Sequence, residues 1–272
     1  MSDSNNTPTQ STTEHEPYIL RDDNQGITTI TLNRPQQYNV LSLDMLNAFS
    51  RLLTDIAQDD SVRVVILAAN GKAFCSGHNL KQMQDNPDYD YQHHLFTTCS
   101  GVMQQIRQLP QPVIAKVQGI ATAAGCQLVA TCDLAIAADT AMFATSGIRV
   151  GLFCSTPAVA ISRSLPTKKA FELLVTGEFM PADEAANLGF INKVVPQDEL
   201  DNATNTMAQH IVAKSPLAIN IGKRMFYQQL NMPLDEAYTF ASQTMAENMM
   251  ADDAKEGIDA FINKRQPTWT GS

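Results

Sequence analysis

VIAKVQGIATAAGCQLVATCDL, residues 113 to 134, is the stretch around which the rest of the chain is read. Val113-Ile114-Ala115-Lys116-Val117 is apolar enough for a short buried strand, and Gly119 ends it. Ala123-Ala124-Gly125 then leaves almost no side-chain bulk where Gln127-Leu128-Val129-Ala130 begins a helix. A helix start carries unpaired N–H groups and a partial positive charge, and side chains this small let an anionic oxygen reach those donors. Tight packing of helix on strand favours the same Ala and Gly, so this stretch alone leaves both readings open.

A second stretch follows the same plan. Val62-Arg63-Val64-Val65-Ile66-Leu67-Ala68-Ala69 reads as a buried strand, and Asn70 to Leu80, NGKAFCSGHNL, as a loop rich in small residues. Two such bends, each after an apolar strand and each opening a helix, can point N–H groups at one oxygen. AFCSGHNL (73–80) and GIATAAGCQLVATCDL (119–134) together resemble the crotonase superfamily, that is, the enoyl-CoA hydratase/isomerase family. Within it, the run from Ala115 to Val150, with FATSGIRVGLFCSTP (143–157) behind it, is similar to the enoyl-CoA hydratase domain-containing protein 3 group. The resemblance runs in order from about residue 18 to about residue 270.

The resemblance implies an α/β fold: a crotonase-like ββα spiral core with a C-terminal helical oligomerisation region. Residues 17–197 are expected to form the core with its acyl-CoA site, and residues 198–272 a helical trimerisation region. The implied chemistry is an enolate made from an acyl-CoA thioester, its oxyanion held by the backbone N–H groups of His78 and Ala124. The implied substrate-binding positions are Tyr38, Val40, Ala73, Ser76, Gly77, Asn79, Leu80, Ile120, Ala123, Gly125, Val150, Gly151 and Lys264. The implied partners are an acyl-CoA and copies of the chain itself, as a homotrimer or a dimer of trimers. No cofactor is implied beyond the coenzyme A of the substrate, and no metal.

The family's hydratases use two glutamates, and this sequence has Gln127 and Gly147 at those catalytic positions. An amide takes up no proton near neutral pH and glycine has no side chain, so ordinary hydration of a 2-enoyl-CoA loses its acid and base. On sequence alone, Gln127→Glu with Gly147→Glu is expected to introduce some crotonyl-CoA hydration if the pocket geometry is otherwise intact. Asn79, where the family often has aspartate, is expected to change loop hydrogen bonding. The His78 side chain is either a solvated loop histidine or a direct participant. His93, His94 and Arg149 could face the acyl pocket, while Cys126 and Cys154 read as inert buried thiols.

Two function classes stay open: a crotonase-type lyase or isomerase with another acid–base group, and an acyl-CoA-binding protein without turnover. A structural role without ligand is a distant third.

Composition narrows the setting. At 272 residues and 44% apolar the chain can bury a large core. Its longest apolar region, Val113 to Ala138, is interrupted by Lys116, Gln118, Gln127 and Asp133, which argues against a membrane span. Residues 1–16 read as a disordered tail, with neither the basic nor the apolar region of a signal peptide. Five cysteines without a CxxC pair suggest reduced thiols, in a bacterial-style cytoplasm or an organelle matrix; the cytoplasm is the location expected. A net charge of −9 argues against nucleic acid, although Lys72, Lys81 or Lys264 could serve a nucleotide phosphate.

Along the chain, Ile27 to Leu32 reads as a strand and Asn39 to Ile56 as a helix capped by Ser42. Met83 to Tyr91 is expected to be an exposed, mobile connection before a helix over Gln92 to Leu109. Asp133 to Ala138 and Met142 to Ala144 read as strands, and Pro181 to Ala185 as a helix start with Gly189 its stop. From Asp198 the pattern is helical, with a Met and Phe stripe that suits either the core or subunit packing.

Overall fold

The computed structural model describes residues 16–272, so all but the last residue of the expected tail lies outside the described residues. Strands β1 (Ile19–Asn24) and β2 (Ile27–Leu32) form a hairpin. Its two turn residues, Gln25 and Gly26, hold φ of 50° and 82°, the left-handed pair that a two-residue hairpin needs. Helix α1 (Leu43–Ala57) follows, with Ser42 Oγ accepting from Met45 N at 3.2 Å. It buries Met45, Leu46, Phe49, Leu53 and Ile56 on one face, the spacing that the sequence showed.

A unit of long strand, short strand and helix then repeats. The first is β3 (Val64–Ala69), β4 (Ala73–Cys75), α2 (Leu80–Asp85) and α3 (Tyr89–Gln108). The second is β5 (Val113–Val117), β6 (Ile120–Thr122) and α4 (Ala124–Thr131). The third is β7 (Leu134–Ala138) and β8 (Met142–Ala144), a single helical turn at Ser146–Val150, then α5 (Ser155–Ile161) and α6 (Thr167–Thr176). Strand β9 (Met180–Pro181), helix α7 (Ala182–Asn187) and strand β10 (Lys193–Val195) close the core. Helices α8 (Leu200–Val212), α9 (Pro216–Gln229), α10 (Leu234–Met249) and α11 (Asp252–Ile262) complete the chain.

Each unit gives one strand to each of two sheets. The long strands build a six-stranded sheet, β1-β2-β3-β5-β7-β10, parallel except for β1 against β2. The short ones build a second sheet, β4-β6-β8-β9, parallel except for β9. Parallel strands covered on both faces must be apolar on both, which is why Val64 to Ala69 shows no alternation. Val65 and Leu67 face the main core, while Val64, Ile66 and Ile114 pack under Ala208 of α8.

Three expectations are corrected here. The two bends contain strands β4 and β6, each of three residues and too short to show a period. Helix α4 starts at Ala124, three residues before the apolar run that announced it. Residues 80–85 are helical, with Asn79 Oδ1 accepting from Gln82 N at 3.1 Å, so only Asn86 to Asp88 separate α2 from α3. A short polar helix has no apolar stripe, and its cap is its only local signal.

No helix among the described residues is long and apolar enough to cross a membrane. Helix α9 is tied to the core by a buried ion pair, Lys223 Nζ to Asp133 Oδ2 at 2.7 Å. In contrast, Leu234, Tyr238, Met245, Met250, Phe261 and Ile262 of the last helices are exposed in the single chain.

Candidate functional site

The bend after β4 is held from two sides. Ser76 N donates to Tyr38 O at 3.0 Å and Leu41 N to Gly77 O at 2.8 Å, so Tyr38 to Leu41, including Val40, run beside it. Asn39 Nδ2 donates to Asn70 O and Ala73 O, and Gln118 Nε2 reaches Ala69, Gly71 and Ala73 carbonyls. Neither amide was marked by the sequence reading, because a positioning side chain has no motif of its own.

The second bend is strained. Ala123 sits at φ 50°, ψ −120°, with its N–H on Ala144 O at 2.9 Å. A non-glycine residue there costs about 1–3 kcal/mol, which the surrounding packing must supply. The two bends abut: a Cβ on Gly77 would lie 2.9 Å from Ala123 Cβ and 3.3 Å from Ala124 N, and one on Gly125 would overlap Cys75 O. Among the described residues, neither His78 N–H nor Ala124 N–H donates to a protein acceptor. Ala124 is the first residue of α4, where the peptide dipoles favour negative charge.

Beside these donors lies a cavity of about 260 Å³. Of the expected positions, Ser76, His78, Leu80, Ala123, Ala124, Gly147 and Val150 line it. Cys154, expected beside the site, lines it too, whereas Met83, Phe96, Leu152, Phe153, Thr156 and Pro157 were not foreseen. Phe96 is one step off the apolar stripe of α3, which was its available signal. Only two lining side chains titrate, His78 and Cys154.

His78 is not a solvated loop histidine. Nδ1 lies 3.2 Å from Leu41 O, a group that can only accept, so Nδ1 carries the proton, and Nε2 is buried without a partner. Phe96 packs edge-on at 5.3 Å between ring centroids. Burial lowers its pKa, opposed by the Leu41 carbonyl, and the ring is neutral at pH 7. Cys154 accepts from the Gly147 N–H, yet burial pushes its thiol up, leaving it protonated.

Of the two positions matched to the family's glutamates, only Gly147 lines this cavity. Gln127 is 4% exposed and lines a neighbouring cavity of about 410 Å³. At Gly147 a Cβ would sit 2.7 Å from Leu152 O and 2.8 Å from Cys154 Sγ, so the chain at 152–154 fills the place of a side chain. Two glutamates were expected to introduce hydration only in an otherwise intact pocket, and at Gly147 a side chain has no room unless residues 152–154 move.

Other candidates lie elsewhere. Ala73, Gly77, Asn79 and Gly125 shape the bends from behind, without lining the cavity. Ile120 and Gly151 are exposed, and Lys264 is exposed after α11 at φ 54°; none of the three lines it. His93 stacks on Tyr89, His94 is exposed, and Arg149 pairs with Glu178 at 3.2 Å. Lys72 is exposed and Lys81 pairs with Asp85 at 3.0 Å.

The sequence profile described as enoyl-CoA hydratase/isomerase matches residues 22–272. The chain belongs to the enoyl-CoA hydratase/isomerase family. A relative from Xenopus laevis, "Enoyl-CoA hydratase domain-containing protein 3, mitochondrial", is 45% identical over 95% of this chain and 88% of its own length. Among solved structures, an enoyl-CoA hydratase of Mycobacterium smegmatis is 54% identical with a TM-score of 0.92, over 93% of this chain and 99% of that one. Human enoyl Coenzyme A hydratase domain-containing protein 3 is 45% identical with a TM-score of 0.91, over 93% of this chain and 100% of that one. The fold is thus the α/β crotonase fold of this family.

The expected cytoplasmic location does not stand, because the relatives of that name from frog, mouse and human are all named mitochondrial. Reduced cysteines fit an organelle matrix equally well and could not choose. Enzymes of the enoyl-CoA hydratase/isomerase family need no cofactor beyond the coenzyme A of the substrate. Among the described residues no group of three or more His, Cys, Asp or Glu is placed to hold a metal ion.

Proposed function

We propose that the chain binds an acyl-CoA thioester, with the thioester oxygen between the N–H groups of His78 and Ala124 and the acyl group in the 260 Å³ cavity. The carrying observation is the pair of unpartnered N–H groups on two abutting bends at the cavity wall. Two such donors stabilise the charge that develops on the oxygen when a proton leaves the adjacent carbon, each typically worth about 10²–10³ in rate. The pantetheine side lies along Tyr38, Val40 and Ser76 to Leu80, which run side by side. Ile120, Gly151 and Lys264 lie outside the acyl cavity.

Ordinary hydration is not part of this function, because neither carboxylate is present and the wall offers only a neutral imidazole and a thiol. That same observation favours a second reading, binding without turnover. In the assembly we propose, residues 17–197 carry the site, and 198–272 join copies into a trimer or a dimer of trimers. The exposed apolar side chains of α10 and α11 support that role.

The test is a panel of saturated and 2-unsaturated acyl-CoA species, with binding by calorimetry and turnover by mass spectrometry. Binding with product supports an enzyme, and binding without product supports the second reading. If no thioester binds, both fail.

A further inference from the structure

The cavity beside the acyl pocket has a composition that the thioester chemistry does not use. It measures about 410 Å³, and Thr156 of α5 belongs to both walls. Gln127 lines it, 4% exposed, and its Oε1 is buried with no hydrogen-bond partner among the described residues. Arg107 also lines it. Its guanidinium stacks on the Tyr227 ring at 3.5 Å but has neither a hydrogen bond nor a carboxylate partner among the described residues. Arg163 lines the wall too, engaged only through Nη1 to Val159 O at 2.8 Å.

No aspartate or glutamate lines this chamber, although the chain carries a net charge of −9. Free guanidinium forks match the two oxygens of a carboxylate. We propose that this chamber binds a carboxylate, the one at the far end of an acyl group whose thioester is held in the neighbouring cavity. Arg107 is its donor, with Arg163 at the rim. The inference rests on the thioester reading above and adds a substrate class, the thioesters of dicarboxylic acids.

Calorimetry with matched chains tests it: glutaryl-, adipoyl- and suberoyl-CoA against their relatives ending in methyl, with free adipate as a separate arm. At one chain length or more, the carboxyl-ended thioester should bind at least about tenfold more tightly, and Arg107→Met should bring the ratio to within about twofold. Arg163→Gln, at an exposed side chain, should lower the ratio in the same direction, which guards against a folding defect in the first variant. Equal affinities at every length overturn the inference and leave the thioester reading intact. So does a changed sedimentation coefficient in Arg107→Met with the ratio unaltered, since the arginine would then be a subunit contact. If no thioester binds, the thioester reading fails. The adipate arm then decides the chamber alone: binding lost in Arg107→Met keeps the carboxylate site, and no binding removes it.

Discussion

Gly125 lies directly under the carbonyl of Cys75, so closely that a methyl group on its α-carbon would overlap that oxygen. This contact joins the start of α4 to the end of β4 and sets the two bends against each other. Helix propensity alone predicts a gain of about 1 kcal/mol for Gly125→Ala. Overpacking against backbone costs about 1–3 kcal/mol or more and wins. Chemical denaturation should show a net loss for Gly125→Ala, with thioester binding weakened as the bends part. Gly101, also helical but with nothing within 4 Å of an added Cβ, should show the opposite sign on change to Ala. A stable Gly125→Ala with unchanged binding would mean that the bends tolerate separation.

Gly147→Glu combined with Gln127→Glu should give no measurable hydration of crotonyl-CoA, followed by the loss of enoyl absorbance. The first substitution drives a Cβ into Leu152 O and Cys154 Sγ, and the second places a carboxylate in the neighbouring chamber. The melting temperature should fall with Gly147→Glu. Hydration above the uncatalysed rate would show that residues 152–154 can move aside.

How much of this was readable beforehand depended on length and on side-chain chemistry. The runs Val64 to Ala69 and Val113 to Val117 announced themselves because strands buried on both faces must be continuously apolar. Ser42 announced α1 because a cap has its own residue preference. Of the second sheet only β8 was read, since β4 and β6 are three residues each and lie in bends rich in small residues. Gly147 could be matched to a family position, but the chain crossing beside it at 152–154 is a tertiary fact. The burial of His78 and the placing of Gln127 and Arg107 on the walls of one chamber likewise arise only when distant elements meet.

Burial holds the His78 imidazole below its ordinary value of 6.5. Above that value the ring is neutral in the folded and the unfolded chain, and it adds nothing to the pH dependence. Below it the unfolded chain takes up a proton that the folded chain resists. Stability therefore falls as pH drops from 6.5 towards the lower folded value. Urea midpoints compared at about pH 7.5 and about pH 5.5 should fall less in His78→Gln than in the parent. Equal falls would place the ring in water.

Leu234 and Phe261 are 75% and 85% exposed in the single chain, on helices that also expose Tyr238, Met245, Met249, Ile258 and Ile262. Leu234→Asp with Phe261→Asp should reduce the assembly to a monomer in sedimentation velocity. The far-ultraviolet circular dichroism should stay unchanged, because neither side chain belongs to the core. An unaltered assembly would put the subunit contacts elsewhere.

Asp133 closes the stretch from which the fold was read, and three donors converge on it. Its Oδ2 accepts from Val113 N and Lys223 Nζ, both at 2.7 Å, and its Oδ1 from Tyr227 OH at 2.7 Å. The Lys223 and Asp133 side chains are only 6% and 10% exposed, so this is a buried pair, unlike the exposed Lys81 and Asp85 pair. Lys223→Met keeps the side-chain volume but leaves a buried carboxylate short of its cation, a loss of about 3–5 kcal/mol. Lys81→Met should cost less than about 1 kcal/mol. Adding Asp133→Asn to Lys223→Met removes the uncompensated charge, so the double variant should be more stable than Lys223→Met alone. Guanidinium denaturation of the three variants distinguishes this from simple packing, for which the second substitution would only add to the damage.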